Sequence, residues 1–95
     1  MSIVDYLLEN EGADFAGEFA KLIRAEAERR LKTLPLRGRV VPEVDTISKN
    51  YREIRVKSYR LIYTILPERN TVSVLMIAHV KRDIEEMLLS HLLHQ

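Results

Sequence analysis

Most of the residues in this chain that could do chemistry are cations. Arg39, Arg55, Lys57, Arg60, Lys81 and Arg82 fall in stretches that read as strands and loops, and Glu43 and His79 lie among them. Cations at the rim of a sheet can hold a phosphate by charge-assisted hydrogen bonds. His79 and Glu43 are residue types that can move protons, although His79 reads equally well as a hydrogen-bonded residue at a strand end. Arg60 interrupts an otherwise apolar run, YRLIYTIL at 59–66. A guanidinium there needs an acidic partner, a ligand or water. The sequence leaves two readings open, an internal ion pair and a ligand-facing cation. His91 and His94 have a helical spacing that could bind metal, but two histidines without a third ligand read better as a surface terminus, so no metal site is expected. There is no glycine-rich phosphate loop and no HExxH. The absence of cysteine excludes disulfides and thiol chemistry.

These residues must be positioned by a small domain. Ninety-five residues suffice for one core, and the whole chain, 1–95, reads as a single domain. No apolar run approaches the roughly 20 residues of a membrane span. The N-terminus MSIVDYLLENEG is acidic rather than basic, which argues against a signal peptide, so a cytoplasmic protein is expected. The net charge of +1 conceals an uneven distribution. Residues 1–34 carry five Lys/Arg against seven Asp/Glu, residues 35–82 carry ten against four, and residues 83–95 add three acids. A basic middle segment favours an anionic partner more than the net charge suggests.

Along the chain, Ser2 to Asn10 reads as a short helix with Ile3, Val4, Leu7 and Leu8 on one face and Ser2 as its cap. A second helix is expected from about Asp14 to Leu34, with Phe15, Phe19, Leu22, Ile23, Ala27, Leu31 and Leu34 at helical spacing and Pro35 as its stop. The two would form an antiparallel hairpin. Leu36 to Pro42 reads as a loop turning at Gly38, and Glu43 to Asn50 as irregular. Tyr51 to Lys57 alternates as a half-buried strand and is joined by a tight turn to a central strand, Tyr59–Leu66. Pro67 to Asn70 is a turn in which Asn70 tolerates left-handed geometry. Thr71 to Val80 is a third, very apolar strand, paired antiparallel to its neighbour. A last helix begins near Asp83, with Asp83 and Glu86 at capping-box spacing. Ile84, Met87, Leu88 and His91 form its apolar stripe, which Leu89, Leu92 and Leu93 widen enough to suggest a partner surface.

Three stretches in order, GRVVPE at 38–43, YREIRVKSYRLIY at 51–63 and IAHVKRD at 77–83, resemble the RelE/ParE superfamily. These are the toxins of type II toxin–antitoxin modules, also called plasmid stabilisation proteins. The resemblance covers roughly residues 3–83 and implies an α+β fold. The expected arrangement is a helical hairpin packed on a three-stranded antiparallel sheet with a C-terminal helix, lacking the first strand usual in the superfamily.

The superfamily divides into gyrase poisons and ribosome-dependent messenger RNA endonucleases. Where nucleases similar to RelE carry two lysines, this chain has Glu53 and Arg55, and Leu88 falls near their helical tyrosine. The HVKRD ending resembles that of ParE-type members. The resemblance therefore implies a ParE-like toxin that inhibits growth by binding DNA gyrase and is neutralised by a cognate antitoxin. The alternatives are a RelE-like endonuclease or a shortened, inactive member that only binds antitoxin. In the nuclease alternative Arg55, Arg60 and Arg82 would neutralise the phosphate, with Glu43 or His79 as base. Target binding is expected at Arg60, Lys81 and Arg82, and antitoxin binding at Phe15, Phe19, Leu22 and Ile23. No cofactor or membrane association is expected, and a second copy of the chain is a candidate partner.

Overall fold

The structure, a computed structural model, describes residues 7–10, 18–32 and 34–93. The elements are β1 (Leu7–Asn10), α1 (Glu18–Leu31), β2 (Arg39–Val40), β3 (Tyr51–Val56), β4 (Tyr59–Leu66), β5 (Thr71–His79) and α2 (Glu85–Leu93). Short 3-10 turns at Pro35–Arg37, Pro42–Val44 and Pro67–Arg69 each begin on a proline, whose fixed φ suits a first helical position. The α+β class with helices on an antiparallel sheet is as expected. The sheet, however, has five strands in the order β1-β5-β4-β3-β2.

Two expectations are corrected here. Leu7–Asn10 is not helical but extends along Thr71–Val74, parallel to β5, so the first strand is present. A short apolar run with few periodic positions is ambiguous between helix and strand, and a free sheet edge decides it. The expected hairpin is thus reduced, among the described residues, to α1, and Ser2–Tyr6 lies outside them. The second correction is β2. Arg39–Val40 pairs with Arg52 and Glu53, adding an edge strand where a loop was expected.

The sheet separates two apolar layers. Ile23, Ala27 and Leu31 of α1 pack on Ile54, Val56, Leu61, Tyr63, Val72, Val74 and Ile77. On the opposite face, Ile84 and Leu88 of α2 pack with Val41, Val44, Tyr51, Ile62, Leu75 and Ala78. A register shift after Ile62 lets β5 keep apolar residues on both faces, since Ile62 pairs with Met76 but Tyr63 with Val74. The buried stripe of α1 is narrower than the sequence suggested. Leu22 is 60 % exposed and Leu34 lies beyond the helix, also exposed. Asn70 has φ 49 and closes its turn, as its residue type led one to expect.

Candidate functional site

The two-residue loop Lys57–Ser58 fixes the register of β3 and β4. Arg55 stands directly opposite Arg60, and Glu53 opposite Ile62, one step along the same face. Two cations facing each other across a strand pair repel unless something neutralises one of them. Two acids do so for Arg60. Its Nη1 and Nη2 each donate to one carboxylate oxygen of Glu43 at 2.7 Å, a bidentate pair, and Nη2 also donates to Glu53 Oε1. Arg39 Nε and Nη2 donate to the other oxygen of Glu53 at 3.2 Å. Arg60 is only 8 % and Glu53 only 6 % exposed. The Arg60 guanidinium holds the Glu43 carboxyl below its usual range, and the same contact raises the pKa of Arg60. The four side chains form a neutral chain of charges, buried at Arg60 and Glu53 and opening to solvent at Arg39, that ties the Pro42–Val44 turn to the sheet.

This cluster settles the two readings of Arg60: it is an internal ion pair. Both of its Nη groups point into the molecule at carboxylates, and its Nε is buried without a hydrogen-bond partner. Glu43 can accept a proton only against the pull of Arg60. His79 lies apart from both. Its ring packs edge-on against Tyr59 at 5.3 Å, and Tyr59 packs on the α1 layer, whereas Arg60 and its register partner Ala78 belong to the other face. His79 Nδ1 accepts from the Lys81 backbone N–H at 3.1 Å.

What the fold does bring together is an exposed cationic rim. The Val80 N–H donates to Ser58 O at 2.9 Å, which seats the segment after β5 against the β3–β4 turn. Arg55 and Lys57 on one side and Lys81 and Arg82 on the other are all exposed at this end of the sheet. Arg30 Nη1 donates to Arg55 O at 2.7 Å and so braces β3 from α1. Arg82 Nη2 rests on Met87 Sδ of α2 at 3.7 Å. Asp83 Oδ1 accepts from Glu85 N at 3.2 Å and supports the helix start, as its cap position implied.

Of the residues expected to meet an antitoxin, Ile23 is fully buried in the α1 layer and Leu22 faces outward. The side chain of Phe19 and all of Phe15 lie outside the described residues, as does His94. No group of three or more potential metal ligands occurs among the described residues, and no described helix is long and apolar enough to cross a membrane.

Sequence reasoning missed Glu53 as a partner of Arg60, although the two-residue loop placed it diagonally across the strand pair. It also missed Tyr63, whose hydroxyl accepts from Gly38 N at 3.0 Å and donates to Pro35 O at 2.8 Å. No spacing in the sequence signals that contact.

The fold recurs in solved structures of low identity. The RelBE2 toxin–antitoxin complex of Mycobacterium tuberculosis is 23% identical with a TM-score of 0.65, over 82% of this chain and 94% of that one. The isolated E. coli RelE toxin is 14% identical with a TM-score of 0.58, over 92% and 98%. A RelE mutant in complex with a peptide of the antitoxin RelB is 15% identical with a TM-score of 0.53, over 90% and 93%. No curated protein matches the chain. The family model for the ParE toxin of the type II toxin–antitoxin system, parDE, matches residues 2–84. With the superfamily's fold in place and nearly the whole chain matched, the protein belongs to the ParE toxin family of type II toxin–antitoxin systems.

Proposed function

We propose that this toxin arrests growth by laying its cationic rim on an RNA target at the ribosome, and that a cognate antitoxin neutralises it. The observation that carries the reading is the rim itself: four exposed cations, Arg55, Lys57, Lys81 and Arg82, seated together by the Val80–Ser58 hydrogen bond. Lys57 adds to it. It holds φ 57, a conformation that favours glycine and costs another L-residue about 1 kcal/mol. A cation kept at such a position points to a use for the charge. Phosphates are what such a group of cations binds best. The likeness to RelE toxins and RelBE-type complexes favours translation over gyrase as the target, and those complexes support an antitoxin partner. In this reading Arg55 and Arg82 meet the phosphate, while Arg60 and Glu43 shape the sheet behind them.

The second reading is a gyrase poison that binds without cutting. It is favoured by the pairing of Arg60 with Glu43 and Glu53 and by the position of His79 on the other face, which leave no assembled acid–base pair beside the rim among the described residues. Induction of the chain in cells separates the two. Cleaved messages with intact chromosomes support the ribosomal reading. DNA breaks before any change in messages overturn it in favour of gyrase. Growth arrest should vanish when the cognate antitoxin is co-expressed.

A further inference from the structure

The contact between Arg82 and Met87 joins the rim to the first turn of α2. Met87 is 40 % exposed, whereas Met76 is partly buried against the α2 layer. A thioether sulfur is a weak acceptor, so the 3.7 Å contact leaves Arg82 free to turn toward a ligand. A peroxide changes this. The sulfur lone pair attacks hydrogen peroxide, the O–O bond breaks, one oxygen joins sulfur as the sulfoxide, and its proton passes to the departing hydroxide, which leaves as water. Sulfur is oxidised by two electrons and the peroxide is reduced. The new S–O group is polar and a far better acceptor, and it forms where the guanidinium already lies. Because Met87 points outward while Ile84 and Leu88 carry the packing, the change leaves the core intact.

We infer that Met87 is a reversible oxidation site whose sulfoxide holds Arg82 against α2 and withdraws it from the rim. This rests on the rim reading above only for its effect on target binding. The chemistry at Met87 and its hold on Arg82 stand apart from it.

The test treats the purified full chain with dilute hydrogen peroxide and maps oxidation by peptide mass spectrometry. It also follows the Arg82 Nε–H signal by NMR and measures binding of a short labelled oligouridylate. Met87 should oxidise before Met76, and the Arg82 signal should shift and sharpen. Oligouridylate binding should weaken, on the order of threefold to tenfold. Methionine sulfoxide reductase should restore all three readouts. Met87→Leu should abolish the response, and Met87→Gln should reproduce the oxidised state without peroxide. If Met76 oxidises first, or the Arg82 signal stays put in the oxidised protein, the inference is overturned. If the signal moves but neither oxidation nor Arg82→Ala alters oligouridylate binding, the inference at Met87 stands and the rim reading fails. If Arg82→Ala weakens binding and Met87 oxidation does not, the inference fails and the rim reading stands.

Discussion

Replacing Arg60 by alanine should destabilise the fold strongly. The substitution deletes three charge-assisted hydrogen bonds, two to Glu43 and one to Glu53. Breaking a buried ion pair by removing one partner costs about 3–5 kcal/mol, because the other charge stays buried. Two features place this case near the lower end. The Glu43 side chain is partly exposed and can reach water, and Glu53 keeps Arg39 on its other oxygen. The expected loss is therefore about 3 kcal/mol, and for a chain of this size that lowers Tm by roughly 15 °C. Urea melts of Arg60→Ala, Glu43→Gln and the double variant, followed by circular dichroism, give the coupling between the pair, expected to exceed about 1 kcal/mol. Arg60→Lys keeps the charge but loses the fork and should fall between the wild type and Arg60→Ala. A loss under about 1 kcal/mol for Arg60→Ala, with additive behaviour in the double variant, would refute the reasoning and return Arg60 to the surface. Arg82→Ala serves as the contrast: its melt should stay within about 0.5 kcal/mol of wild type while toxicity drops.

Four further outcomes follow from the same structure. Gly38→Ala should destabilise by about 1–3 kcal/mol in urea melts, since its Cβ would lie 2.5 Å from both Glu53 O and the Tyr63 hydroxyl. Tyr63→Phe should cost about 1–3 kcal/mol in urea melts by stranding the Gly38 N–H and the Pro35 carbonyl. Acid should weaken the fold through Glu43. Its carboxyl sits below the ordinary 4.5 when folded, so its contribution is full above about pH 4.5 and is lost as pH falls through the folded-state value; the acid limb of a stability–pH profile should flatten in Glu43→Gln. Lys57→Gly should raise stability slightly, by about 0.5 kcal/mol, as relief of the left-handed φ outweighs added freedom in the unfolded chain, and should lower toxicity; a destabilised but fully toxic variant would remove Lys57 from the rim.

The legible parts of this chain were those governed by local chemistry. Alternation in Tyr51–Val56, the apolar density of β4 and β5, and the Pro67–Asn70 turn all formed as their residues required. The missed elements are held by partners distant in sequence. Leu7–Asn10 becomes a strand because the first half of β5 offers it an edge, and Arg39–Val40 because β3 does. Neither segment carries enough residues for a period to declare itself. At the site, the need of Arg60 for an acid was legible, but not which acid. Glu43 arrives from a turn 17 residues away, and Glu53 from the neighbouring strand, where alternation puts it on the same face as Arg55.

The pairing of Arg60 with Glu43 and Glu53 changes what the basic segment can do. Of the cations between Arg39 and Arg82, Arg60 and Arg39 are engaged with Glu53, and Arg52 Nη1 donates to the Gly38 carbonyl at 2.7 Å. Their charge is spent on holding the β2 edge and the Pro42–Val44 turn in register. Lys49 and Arg69 are exposed elsewhere, whereas Arg55, Lys57, Lys81 and Arg82 gather at the end of the sheet where the β3–β4 turn and the exit from β5 meet. A target groove running across the middle of the sheet face would have to compete with Glu43, Glu53 and the packed helix α2. A ligand meeting the end of the sheet encounters Arg55, Lys57, Lys81 and Arg82 without that competition. On the proposed reading, the buried charges favour the rim over the middle of the sheet as the place for an anion, although none of them needs to touch it.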